Sequence, residues 1–205
     1  MLFEIHITVS QLSELQKEQF LDFCDNSKSK AIFIELAGGD YVDQPMLTKV
    51  LNVDTVQQSQ QLAQDLIRQL QQAAFRPIRL KIEIPIEDFV LGSFVVESSS
   101  DKKQLKNYFE WHGKVGFTHV QKLNQLCEQH AAHLSKNSLK DQHDYRFITL
   151  REYSNKNIFE QRIFNLKQAL QQGDWLLLKE QSEYCIYDNN LQLDNGWLNH
   201  EYSAS

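Results

Sequence analysis

Two histidines occur in nearly the same company. His6 lies in Phe3-Glu4-Ile5-His6-Ile7-Thr8-Val9, and His112 in Tyr108-Phe109-Glu110-Trp111-His112-Gly113-Lys114-Val115. In each stretch a glutamate stands two places before the histidine, and a polar or basic residue two places after. Imidazole titrates near neutral pH, so one ring of a pair accepts a proton while the other donates one. The Thr8 hydroxyl and the Lys114 ammonium are groups that hold an oxyanion. Alternation along a strand puts Glu4, His6 and Thr8 on one face and Phe3, Ile5, Ile7 and Val9 on the other. The second stretch divides the same way, with Glu110, His112 and Lys114 opposite Phe109, Trp111 and Val115. The spacing therefore predicts a duplicated unit with a histidine on the polar face of each copy.

The elements that position these residues follow in chain order. Strand 3–9 leads into a helix begun by Ser10 or Ser13, with Leu12, Leu15, Phe20, Phe23 and Cys24 at helical spacing. Residues 31–36 read as a second strand and 46–53 as a third, with Pro45 at its start. Asp54 or Thr55 caps a long helix whose apolar stripe includes Leu62, Leu66 and Leu70 and whose outer face is rich in glutamine. Pro77 stops it, and 78–84 form a fourth strand. This is the ferredoxin-like order, strand-helix-strand-strand-helix-strand. Val90 to Val96 suggest a further apolar edge segment, and residues 98–103 are a polar linker.

The second copy repeats the order imperfectly. Val120, Leu123, Cys127, His130 and Leu134 fit one helical stripe. Strand 145–153 and a helix begun by Asn155 follow, then strands at 175–179 and 184–187 and a turn-rich tail. Thr48 to Phe75 covers 27 positions and Thr149 to Trp175 covers 26, so the later parts of the copies register. Nothing between Lys136 and Asp144 reads as a match to strand 31–36. The expected fold class is α+β: two ferredoxin-like halves, 1–97 and 104–205, each an antiparallel sheet with helices on one face.

In such a sheet the first and third strands are neighbours. His6 and Thr8 then lie beside Thr48 and Lys49, and His112 and Lys114 beside Thr149 and Arg151. If the open sheet faces meet, His6 and His112 are the candidate catalytic pair. Thr8, Lys114, Thr48, Lys49, Thr149 and Arg151 are the candidate ligand-binding residues. The plainer alternative is that each histidine is a structural group paired with a glutamate on a solvated sheet face.

His6-Ile7-Thr8-Val9 resembles the His-x-Thr-x motif of the 2H phosphoesterases, a superfamily of RNA ligases and cyclic phosphodiesterases that carries the motif on two related lobes. The resemblance implies that His6 and His112 serve as acid and base, with Thr8 on the phosphate, in metal-free cleavage of cyclic or 2′-5′ phosphodiesters. Lys114 stands where that superfamily has Ser or Thr. Separately, Tyr108-Phe109-Glu110-Trp111-His112, Tyr187-Asp188-Asn189-Asn190-Leu191 and Asp194-Asn195-Gly196-Trp197-Leu198 are similar to an uncharacterised bacterial family, which implies one unit but no activity.

Other chemistry finds less support. His130 and His133 lie three apart on the expected helix, and His119 and His143 are near in sequence, but the supporting carboxylate spacing of a metal site is absent. There is no phosphate-cradling glycine loop, so no cofactor or metal is expected. Cys24, Cys127 and Cys185 form no CxxC and read as reduced thiols of a cytoplasmic protein, with Cys24 and Cys127 in matching helices as buried small apolar side chains. Lys and Arg number 21 against 27 Asp and Glu, for a net charge of -6, which excludes broad coating of DNA. No apolar run reaches membrane-span length and no signal peptide precedes the first strand. The reading favoured is a non-catalytic binding or assembly module working through the cleft or sheet faces of its two halves, with Trp111, Phe117 and Tyr108 as an aromatic patch. Its partner is a protein or a small phosphate-containing ligand. The alternative is a phosphodiesterase using His6 and His112.

Overall fold

The computed structural model describes residues 1–89, 107–116, 119–138 and 145–196. The first half contains β1 (Leu2–Val9), α1 (Glu14–Asn26), β2 (Lys30–Leu36), β3 (Asp43–Asn52), α2 (Val56–Gln72) and β4 (Pro77–Pro85). The second contains β5 (Tyr108–Gly116), α3 (Val120–Gln129), β6 (Ala132–Asn137), β7 (Tyr145–Glu152), α4 (Lys156–Gln172) and β8 (Leu177–Asp188). Ser13 and Gln16 form a reciprocal capping box at the start of α1. Thr55 caps α2 through the Gln58 amide and Asn155 caps α4 through the Ile158 amide. Each side chain satisfies an amide that the first helical turn leaves without a partner.

The four α-helices among the described residues end alike. A non-glycine residue in the left-handed region follows each: Lys28, Ala74, Ala131 and Asp174, with φ of 52°, 63°, 47° and 59°. After α2 and α4 the next amide returns to the helix, Phe75 to the Leu70 carbonyl and Trp175 to the Leu170 carbonyl, both at 2.9 Å. The chain turns sharply there and enters the following strand.

The strand order is β1-β3-β2-β6-β7-β5-β8-β4, closing into an eight-stranded barrel. This corrects the expectation of two ferredoxin-like halves with helices on one face of each sheet. The strands that would have been edges, β2 and β4, are paired instead. Ile34 to Leu36 pair with Asn137 to Ser135, and Lys81 to Pro85 pair with Asp188 to Glu183. An unpaired edge leaves a row of amides and carbonyls exposed, and closure removes it. Local sequence patterns carry each strand's faces but not the partner of its outer edge.

Two compact units result, and neither is continuous in sequence. The first comprises Met1–Ile32, Gln44–Tyr108 and Glu183–Asn190; the second Phe33–Asp43, Phe109–Ser182 and Leu191–Ser205. In the first, Phe3, Ile5, Ile7 and Val9 of β1 are buried, as alternation requires, with Leu66 and Leu70 of α2. Phe20 meets Phe75 edge-on at 5.3 Å. In the second, Phe109 stacks on Phe159 at 5.4 Å, and Trp111, Leu150 and Leu166 are fully enclosed.

Several boundaries differ from expectation. α3 stops at Gln129, and His133 and Leu134 belong to β6. The third strand begins at Asp43, with Pro45 inside it, and the two short strands expected at 175–187 are one. The aromatic patch is corrected outright: Tyr108 and Trp111 are core residues with no exposure. The Trp111 indole lies across Gly113, where a Cβ would stand 2.2 Å from the ring, and its Nε1 donates to Glu180. Phe117, His143, Trp197 and residues 90–103 lie outside the described residues. No helix among the described residues is long and apolar enough to cross a membrane.

Candidate functional site

In the first unit, β1 is flanked by β3 and β4, and His6 stands opposite Thr48 on one side and Lys81 on the other. Directly opposed residues share a sheet face. His6 Nδ1 and Thr48 Oγ1 share a hydrogen bond of 2.9 Å. His6 Nε2 lies 2.9 Å from Glu83 Oε2, and Glu4 Oε1 is 3.8 Å away. Lys81 Nζ sits 2.9 Å from the other Glu83 oxygen. Both imidazole nitrogens are thus occupied, and the carboxylate beside the ring is neutralised by a lysine. The His6 side chain is 12% exposed.

The remaining first-unit candidates are built differently. Thr8 is buried, opposite Met46 and Arg79. Arg79 is itself engaged: its Nε and Nη2 donate to the two Asp188 oxygens at 3.0 and 2.5 Å, and Tyr108 donates its hydroxyl proton to Asp188 at 2.7 Å. Lys49 is one place past Thr48 and so on the other face of β3, where its ammonium donates to the Ser27 carbonyl at 2.5 Å. It is a link to the end of α1 and does not join His6.

The second unit carries a graded polar face across β5, β7 and β6. Glu110 stands opposite Arg151, His112 opposite Thr149, Lys114 opposite Phe147 and Gly116 opposite Tyr145. On the other edge of β7, His133 stands opposite Thr149 and Ser135 opposite Phe147. The first row is an ion-pair network. Arg151 Nη2 reaches Glu110 at 3.3 and 3.4 Å, and Arg151 Nη1 reaches Asp194 at 2.9 Å, all within the buried interior of the unit. The second row is His112–Thr149–His133, with 3.2 Å between His112 Nδ1 and Thr149 Oγ1. His112 Nε2 is 3.7 Å from Glu110, and its side chain is 34% exposed. In the third row the Lys114 ammonium lies 3.8 Å from the centre of the Tyr145 ring and 6.0 Å from that of Phe147, both half-buried.

Charge separates these groups by role. Arg79, Lys81 and Arg151 are all committed to buried carboxylates. Lys114 has no carboxylate partner among the described residues; it rests on aromatic rings, an attraction that leaves its N–H groups available. Burial, the Arg151 guanidinium and Arg162 hold the His133 imidazole neutral, bringing its pKa down to about 4 against the pull of Asp194. Burial pushes Cys24 and Cys127 up to about 12 and raises Cys185 as well, so none of the three is a ready nucleophile.

Besides Lys49, His133 lies elsewhere than its spacing suggests, and it joins the face although it is not among the candidate site residues. It was expected on a helix with His130, but His130 is the terminal cap of α3 and His133 is on β6. The apolar–polar alternation of Ala132, His133, Leu134 and Ser135 is the signal the sequence carries for a strand; the left-handed turn at Ala131 resets the period. No group of three or more His, Cys, Asp or Glu side chains among the described residues is arranged to hold a metal ion. The tail motif has a structural role. Asn189 Oδ1 accepts the Leu80 amide and Asn190 Nδ2 donates to the Ile78 carbonyl, so Asp188-Asn189-Asn190 clamps β4.

No protein-family model and no curated protein matches the chain. Among solved structures it is similar to a candidate glycine cleavage system transcriptional repressor, at 10% identity over 89% of this chain and 96% of that one, with a TM-score of 0.27. It is also similar to chlorite dismutase from Candidatus Nitrospira defluvii in complex with imidazole, at 13% identity over 90% of each chain, with a TM-score of 0.28. Both superpose too loosely for a shared function to follow.

Proposed function

We propose that the chain is a non-catalytic binding module that takes a small anionic ligand on the polar face of its second unit. The observation that carries this reading is Lys114, a cation held on aromatic rings, two places from His112 on β5 and with no carboxylate partner among the described residues. An ammonium in that setting gives an anion a charge-assisted hydrogen bond worth about 1.5–3 kcal/mol.

The phosphodiesterase reading has the weaker support. An acid–base pair needs a ring nitrogen open to substrate, whereas both nitrogens of His6 are engaged, one by a carboxylate that Lys81 already neutralises. Thr8, the phosphate-binding hydroxyl of the 2H resemblance, is buried.

The test is turnover and binding on the same protein. Incubation with 2′,3′-cyclic AMP and with a 2′-5′-linked dinucleotide is expected to give no product, while titration with inorganic phosphate and acetate gives saturable binding that Lys114→Met weakens at least tenfold. Hydrolysis that is lost in His6→Ala without loss of folding overturns the non-catalytic reading.

A further inference from the structure

The charge and shape around Lys114 narrow the ligand further, on the premise that Lys114 is the anion anchor. Along this face Lys114 and Arg151 contribute two positive charges, and Glu110 and Asp194 two negative ones. With His133 neutral, the charged side chains of this face among the described residues balance. Arg151, the guanidinium of this face among the described residues and a forked donor that matches a phosphate, is enclosed between two carboxylates. A monoanion is neutralised by Lys114 one for one. Among the described residues a dianion has a single cation not already paired with a carboxylate, Lys114, and it faces Glu110 four residues away, about 13 Å at strand rise. The charge pattern therefore favours a carboxylate over a phosphate.

The surroundings of Lys114 also have a shape. Phe147 lies directly opposite Lys114, and Tyr145 opposite Gly116. Among the described residues a Cβ built on Gly116 would meet nothing within 4 Å, so the place opposite Tyr145 where a side chain would project is open to them. A flat apolar group entering that space lies against one aromatic ring and next to a second, an arrangement that offset or edge-on contact favours. We infer that the ligand is a monoanionic carboxylate carrying a flat ring, its carboxylate at Lys114 and its ring in the space that Gly116 leaves beside Tyr145 and Phe147.

The experiment compares four probes at pH 7.5 by calorimetry: acetate, benzoate, inorganic phosphate and phenyl phosphate, the last largely dianionic there. Benzoate is expected to bind at least tenfold more tightly than acetate and more tightly than phenyl phosphate. Gly116→Val, which suits a strand, is expected to weaken benzoate about tenfold and leave acetate unchanged. Lys114→Met is expected to weaken both. Tighter binding of phenyl phosphate overturns the monoanion assignment and leaves the anion site standing. Equal binding of acetate and benzoate, or benzoate binding unaffected by Gly116→Val, overturns the ring. Absence of binding by all four probes, or binding indifferent to Lys114→Met, overturns the anchor itself and with it the proposed function.

Discussion

His6 and His112 show how the same residue in the same local pattern acquires different surroundings. Each meets a threonine directly across the adjoining strand. His6 is then sealed by Glu83 and Lys81, whereas the glutamate near His112 is drawn toward Arg151. The repeated pattern made the histidine–threonine pairs legible in sequence, because alternation and strand adjacency suffice for that. Glu110 is marked by its place two residues before His112, but Glu83, Asp188 and Asp194 come from strands and turns far along the chain, and no local spacing marks them. His133 provides a test at this scale. Its folded-state pKa of about 4 is below the ordinary 6.5, so the unfolded chain takes up a proton first as the pH falls. Stability is unaffected above pH 6.5 and drops as the pH moves from there to 4, by about 2 kcal/mol after allowance for partial solvation. Urea titrations at pH 7 and pH 4.5 are expected to show that loss, and His133→Gln is expected to shrink it. Trp111 provides a second. As a core residue, Trp111→Ala is expected to lower the unfolding free energy by about 3–5 kcal/mol, measured by denaturant unfolding.

Elements were easiest to recognise where apolar period and cap agree. α2 and α4 have both, and their starts at Thr55 and Asn155 carry the expected capping bonds. Helix ends were harder to place. Glycine normally marks the left-handed residue beyond a helix, and here Lys28, Ala74, Ala131 and Asp174 take that conformation without it. That absence extended the expected α3 through Leu134 and hid β6. The conformation costs a residue with a Cβ about 1–2 kcal/mol, offset partly by the extra freedom glycine has when unfolded. Ala74→Gly is accordingly expected to raise the unfolding free energy by about 0.5–1 kcal/mol, read as a higher urea midpoint with an unchanged slope.

At the scale of the whole molecule, the order of elements followed from sequence in the first half; in the second, β6 was missed and β8 divided in two, and the closure of the sheet was not legible in either. Closure depends on which edges meet, and β8 lacks a turn or break that announces its long pairing: its first six residues are largely exposed, while its last six enter the first unit and pair with β4. Asp188 secures that pairing through Arg79, with Tyr108 donating to the same carboxylate. Removing one partner of a buried pair strands the other, at a cost of about 3–5 kcal/mol. Asp188→Ala is expected to show a loss of that size in denaturant unfolding, and a smaller one in an Arg79→Met background.

The most direct test of the account is a map of where a bound anion touches the protein. Amide shifts recorded by NMR during a benzoate titration are expected to concentrate at Lys114, Gly116, Tyr145 and Phe147, to saturate, and to vanish in Lys114→Met. Shifts that center on His6 and Glu83, or that persist unchanged in Lys114→Met, would contradict it.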